Sequence, residues 1–334
     1  MDQIICGGSE KGCAGWGFLL GRRVRHRLRV GCPRHGGPGI LPGASTREPS
    51  QFSNTFLVEL PRRDMSSIGP LPSDNKFAAP HRRRLPSRMK PLFEELDFRP
   101  TPLGDLILRR RRMAMLDDLM VYEVLLGNGY LMSSLFHEVE VALADLGLAA
   151  VEGDTLDVVV GGLGLGYTAV AALKDPRVAE LLVVDALAPV IEWHEQGLVP
   201  LGETLTSDPR CRFVHADFFT LAAEPELGFD PAQAGRKFHA VLLDIDHSPQ
   251  NLLDARNAGF YSSEGLRRLA SQLHPGGVFA LWSDDAPDDI FLNHLAEVFE
   301  TSEAHVVKFP NPLLEKESAS TVYVARLGLR QRSP

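Results

Sequence analysis

From about Phe93 onward, short apolar runs alternate with segments whose apolar residues recur at helical spacing. Leu156 to Val160 is the clearest strand-like run, and Leu181 to Val184, Arg212 to His215, Phe238 to Leu243 and Val278 to Trp282 repeat it. Ser134 through Leu146 reads as the first helix, with Leu135, Val139, Leu143 and Leu146 on one face and Gly147 as its stop. Tyr167 to Leu173 predicts a second helix, and another runs through His194 to a break at Gly197 and Pro200. Ala222 to Arg236 reads as a surface helix or loop. Further helices are expected near Asn251, from Ser262, Ser263 and Glu264 to Leu273 before the stop His274 to Gly277, and over Ile290 to Phe299. His305 to Phe309 and Thr321 to Leu327 are candidate closing strands, joined by a loop with Pro310 and Pro312. Strands alternating with helices predict an α/β fold around a parallel sheet.

Ahead of this pattern, Phe93 to Phe98, Asp105 to Arg110 and Leu119 to Leu126 have strand-like content, and Asn128-Gly129 is a hairpin turn returning through Tyr130 and Leu131. A small antiparallel sheet is expected there. The run Arg109 to Arg112 is read as a charged outer sheet face in preference to an anion site. Met1 to about Arg88 lacks sustained periodicity and is rich in Gly, Pro, Ser and Arg, so disorder is expected, or a translation start at Met65 or Met89. The predicted division is 1–88 as a basic leader, 89–133 as a small β domain and 134–330 as the main domain.

Charge sharpens that division. The 334-residue chain has a net charge of -8, but residues 1–90 hold 16 Lys and Arg against 6 Asp and Glu, and the remainder holds 19 against 37. An acidic main domain repels a phosphate backbone, so no nucleic-acid partner is expected and a cationic or neutral small-molecule acceptor is preferred. No run of 18 apolar residues is present, so no membrane span is predicted. Of the 4 cysteines, Cys6, Cys13 and Cys32 lie in the leader and Cys211 alone in the main domain, which excludes a disulfide framework for the core and points to a reducing, cytoplasmic compartment.

Chemistry concentrates where the predicted strands end. Gly161, Gly162, Leu163, Gly164, Leu165 and Gly166 follow the first main strand, and Asp185 ends the next, 19 residues after Gly166. Glycines let backbone approach a ligand, and an acid at that strand end can accept both hydroxyls of a ribose, so the segment predicts a nucleoside site. Asp217 after the third strand can accept an adenine amine, with Phe218 or Phe219 as an apolar wall. Asp244, Asp246 and His247 leave the fourth strand, where a carboxylate can orient an amine and a neutral histidine can take a proton. His137, in the expected first helical turn, can orient an acceptor or the ribose; Glu138 beside it is explained by the helix dipole. Asp246 and His247 have no third neighbouring ligand, so no metal is expected. The glycine turn alone leaves an NAD enzyme open.

In this order, the segment from about Phe93 to Leu327 resembles the spermidine synthase family. The resemblance implies a small amino-terminal β domain on a Rossmann-like, class I methyltransferase-type domain, and a homodimer as the expected assembly. It matches Phe136, His137 and Glu138 to the family's Tyr-His-Glu-like segment, and Gly161 to Gly166 to its Gly-Gly-Gly-Asp-Gly-Gly loop. Asp185 matches the ribose acid, Asp217 the adenine-contacting acid, Asp244 the leading catalytic acid and Tyr261 the tyrosine before the following helix. The family transfers an aminopropyl group from decarboxylated S-adenosylmethionine to a polyamine. Here, however, the loop acid is Gly164 and the second acid of the catalytic loop is His247. A carboxylate at 164 would repel the carboxylate of intact S-adenosylmethionine, and glycine would not. The expectation is therefore methyl transfer from S-adenosylmethionine to a small amine or other nucleophile, with Asp244 orienting, His247 as base, and no metal. Aminopropyl transfer with Asp246 replacing the missing acid is the enzymatic alternative, and a non-catalytic nucleoside-binding protein is the other.

Overall fold

The structure, a computed structural model, describes residues 55–59 and 92–329. The described chain runs β1 (Thr55–Glu59), β2 (Phe93–Thr101), β3 (Gly104–Met113), β4 (Leu119–Leu126), β5 (Gly129–Ser133), α1 (Glu138–Ala149), β6 (Leu156–Gly161), α2 (Tyr167–Leu173) and β7 (Val178–Asp185). It continues through α3 (Ala188–Glu195), α4 (Gly202–Ser207), β8 (Cys211–His215), α5 (Phe218–Ala223), β9 (Phe238–Leu243), α6 (Ser263–Ser271), β10 (Leu273–Ser283), α7 (Asp289–Ala296), β11 (Thr301–Asn311) and β12 (Lys316–Arg326).

Strands β2 to β5 form a four-stranded antiparallel sheet in chain order, and the rest form an eight-stranded sheet ordered β1-β11-β12-β10-β9-β6-β7-β8. Its strands pair in parallel from β10 through β9, β6 and β7 to β8, and antiparallel at β12. Both faces are covered. Val158 and Val160 of β6 pack into one core with α1 and α2, whereas Val159 joins Leu266 of α6 and Phe291 of α7 in the other. That double burial explains why the parallel strands read as continuous apolar runs.

Several expected boundaries move. Gly147 lies inside α1, where a Cβ would sit 2.6 Å from Leu242 Cδ2, so this glycine lets the helix approach the sheet and does not stop it. The helix begins at Glu138 and not Ser134, because Ser134 still pairs with β4: its N–H donates to the Tyr122 carbonyl (2.8 Å) and its Oγ accepts the Tyr122 N–H (2.9 Å). No helix opens near Asn251; Ser248 and Asn251 exchange backbone hydrogen bonds, and a 3-10 turn follows at Ala255–Tyr261. Helix α6 stops at Ser271, and β10 begins at Leu273 with an irregular register before Val278. β11 and β12 are each 11 residues, longer than expected, and form one ribbon. Thr55–Glu59 pairs in parallel with β11 inside the segment expected to be disordered. The remainder of that expectation, with Cys6, Cys13 and Cys32, lies outside the described residues.

The arginine run is a paired sheet face. Glu123, 1% exposed, accepts Arg109 Nε and Arg111 Nε at 2.7 Å each, and Glu94 takes Arg110. The small sheet is tied to the main one by Trp193 of α3, whose indole N–H donates to Asp97 of β2 at 2.7 Å.

Candidate active site

The chain passes from β6 to β7 and β8 on one side, then returns to place β9 against the other side of β6. Carboxyl ends of parallel strands diverge at such a reversal, which is where open α/β sheets hold ligands. Here the glycine turn after β6 faces the loop after β9. Gly162 has φ +94°, and a Cβ on it would lie 2.1 Å from the carbonyl oxygen of Asp244. The two loops therefore meet through backbone alone.

Asp185 builds the glycine turn from below. Its Oδ2 accepts the Leu163 N–H at 2.9 Å and its Oδ1 the Leu187 N–H at 2.7 Å. Burial pushes its carboxyl above the ordinary range, opposed by the N–H groups of Leu187, Leu163 and Gly164 and by the charge of His215. A cleft of about 110 Å³ opens above it, lined by Gly162, Gly164, Asp185, Asp217, Phe218 and Phe219 among others. Asp217 caps α5 by accepting the Thr220 N–H at 2.7 Å and is exposed at the cleft. Phe218, 1% exposed, stacks on Phe229 in the core, and the half-buried Phe219 presents the outer apolar wall.

A second cleft, about 460 Å³, adjoins the first; Met132, Gly164, Asp244 and Ile245 line both. Its walls include Phe136, Tyr167, Trp282 and Phe309, with His247 and the acids Glu140, Asp284 and Glu317. The β11–β12 ribbon supplies much of the outer side. Asp244 stands at the junction, with Oδ2 accepting the Thr168 hydroxyl at 3.0 Å; burial pushes its carboxyl up to about 6, against that hydrogen bond. Glu140 of α1 is held well above the ordinary carboxylate range by burial first and by the charge of Asp244 second. Burial likewise raises the phenol of Tyr167, which is hydrogen-bonded to Ser134.

Gly164 has φ +50°, but the space over it is filled: a Cβ would lie 2.6 Å from Met132 Cε of β5. Gly161 ends β6 and Gly166 precedes α2, so all four glycines shape the turn. The structure thus brings together Gly162, Gly164, Gly166, Asp185, Asp217, Phe218, Asp244 and His247 along the two clefts, with Gly161 behind them against Phe218 and Leu243. Three expected residues stand apart. Asp246 is fully buried away from both clefts: Oδ1 accepts the Leu253 N–H at 2.7 Å, Oδ2 the Tyr261 hydroxyl at 2.9 Å, and both oxygens Asn257 Nδ2 at 3.1 Å. It braces the loop, and Tyr261, 5% exposed, braces Asp246. His137 precedes α1 and lines neither cleft; its ring stacks on Tyr167 at 4.4 Å, and its Nδ1 is buried without a partner. Thr168, Tyr167 and Glu140 escaped the sequence reading. Thr168 and Tyr167 directly follow the last glycine, a signal that was available, whereas Glu140 beside Glu138 reads as one more acid in a helical first turn.

Among the described residues, no group of three or more His, Cys, Asp or Glu is placed to hold a metal ion, and no helix is long and apolar enough to cross a membrane. No family model matches the sequence. The spermidine synthase of Thermotoga maritima overlays on 71% of this chain and 73% of its own, with 15% identity and a TM-score of 0.53. A spermidine synthase in complex with the transition state analogue AdoDATO overlays on 71% of this chain and 74% of its own, with 16% identity and a TM-score of 0.54. The likeness is one of fold. The α/β architecture with its small amino-terminal antiparallel sheet is that of these solved structures. Human methyltransferase-like protein 13 in complex with SAH, at 19% identity over 59% of this chain and 84% of its own, has a TM-score of 0.42, too low to inform the fold.

Proposed function

We propose that this chain is a transferase that moves a group from an S-adenosyl sulfonium donor to a small amine, with methyl transfer from intact S-adenosylmethionine as the reaction. The observation that carries the reading is the meeting of two clefts at Asp244, one suited to a nucleoside and one to an acceptor. Asp185 faces the ribose and Asp217 the adenine, with Phe219 against the base. The acceptor nitrogen, held at Asp244, loses its proton to the carboxylate. Its lone pair then forms the new bond to the methyl carbon while the carbon–sulfur bond breaks and its electron pair stays on sulfur. Positive charge passes from sulfur to nitrogen, so the protein's contribution is alignment and exclusion of water. His247 at the same cleft is a second candidate base.

Methyl transfer is favoured by Gly164 and Met132. Both donors carry the terminal ammonium, and only the intact one adds a carboxylate, which an acid at 164 would repel and Gly164 under the Met132 thioether does not. Asp246 does not replace the missing second acid of the catalytic loop, because it is fully buried and lines neither cleft. Aminopropyl transfer keeps one supporting observation, the acidity of the larger cleft, where Glu140, Asp244, Asp284 and Glu317 outnumber Lys316.

Calorimetric titration of the full chain with S-adenosylmethionine, its decarboxylated form and NAD tests the proposal. Tighter binding of the intact donor is expected. Preference for the decarboxylated donor replaces methyl by aminopropyl transfer; preference for NAD, or binding of none of the three, overturns both.

A further inference from the structure

Glu140 and Asp244 are acids on different elements, α1 and the loop after β9, yet both line the larger cleft and each is desolvated there. Asp244 has the Thr168 hydroxyl, and among the described residues the one lysine at this cleft is Lys316, on the exposed ribbon. The other charged or titratable groups facing the pair are Glu138 on the same helix, Tyr167 of α2, and His247, Asp284, Lys316 and Glu317 around the cleft. Lys316 and Glu317 are exposed on the ribbon. Two half-buried carboxylates that line one cleft ionise together only at a cost without a counter-charge, which favours a proton shared by the pair until one arrives.

We propose that Glu140 is a positioning residue of the acceptor seat, giving its proton to solvent when a protonated amine enters so that the ammonium lies between two carboxylates. The exchange balances: one ammonium enters, the Glu140 O–H bond breaks, one proton leaves, and the net charge of the cleft is unchanged. A neutral alcohol of the same length brings no charge to offset ionisation and gains nothing from it. The aromatic walls Phe136, Trp282 and Phe309 suit the apolar body of an alkyl or aryl amine. The inference rests on the amine-acceptor reading above.

The test is calorimetric titration of the full chain, saturated with S-adenosylhomocysteine, with 1-hexylamine at pH 7 in phosphate and in Tris, whose different ionisation heats report proton release. Wild-type protein is expected to release about one proton per amine bound. Glu140→Gln is expected to bind without release and about tenfold more weakly, the scale of one charge-assisted contact. Glu140→Asp should restore release, which keeps the test intact if the amide variant fails to fold. Buffer-independent heats in wild type, equal release in Glu140→Gln, or no binding of hexylamine overturns the inference. If S-adenosylhomocysteine does not bind but hexylamine still releases a proton, the donor reading fails and the acid pair stands.

Discussion

Gly162 and Asp244 touch through their backbones, so closely that a Cβ on residue 162 would fall 2.1 Å from the Asp244 carbonyl oxygen. The glycine turn and the loop after β9 thus meet at one backbone junction, made between the ends of adjacent strands β6 and β9.

Gly162→Ala is expected to destabilise the fold by about 2 to 4 kcal/mol, because positive φ and collision with backbone act together. Urea denaturation monitored by circular dichroism checks this; an unchanged midpoint sinks the account of the junction.

Asp244→Asn should trade activity for stability. The folded carboxyl, pushed up to about 6 by burial, binds protons more tightly than in the unfolded chain. The native state therefore loses stability as pH rises from about 4 through about 6, and the amide escapes that loss. At pH 7.5 the variant is expected to gain about 1 to 3 kcal/mol, a gain shrinking toward nil as pH falls to 4, while transfer is abolished. Urea melts at both pH values measure it, and an equal gain at each would count against it.

Trp193→Phe should loosen the small sheet. Burial raises the Asp97 carboxyl, but the hydrogen bonds from Trp193 and Arg99 outweigh it and hold the group below its ordinary value. That stabilisation is present above about pH 4 and is lost as pH falls through the depressed folded value. Removing the indole donor is expected to cost about 1 to 3 kcal/mol at neutral pH. Hydrogen exchange should show faster opening of Phe93–Thr101; protection equal to wild type argues against the tie.

Gly164→Asp combined with Met132→Ala tests what selects the donor. An aspartate tolerates the left-handed φ at 164, and trimming Met132 opens its space. The double variant is expected to shift the ratio of calorimetric Kd values toward decarboxylated donor by about tenfold, the effect of one new buried ion contact. An unchanged ratio would show that the tail of the donor lies elsewhere.

Local sequence carried much of this site. The apolar runs before Gly161, Asp185 and Asp244 are buried on both sheet faces, so their pattern survives as plain hydrophobicity, whereas β8 before Asp217 is a half-buried edge strand; each acid still ends or follows its strand as expected. The Ser262 cap was also legible, its Oγ accepting the Gly265 N–H. Gly147 misled because a glycine required for helix–sheet contact resembles a helix stop. Asp246 misled because it shares a loop with Asp244 while its side chain turns the other way, into Asn257 and Tyr261.

By itself, the sequence determined the α/β alternation, the small antiparallel sheet, the glycine turn and the strand-end acids, because each is written in neighbouring residues. The tertiary structure decided which acids share a cavity. Glu140 and Asp244 lie far apart in the chain, and only the packing of α1 over β9 and β10 brings both to one cleft. It also decided that Met132, from a different sheet, covers Gly164. Desolvation and electrostatic coupling depend on distance through space, and spacing along the chain does not encode them.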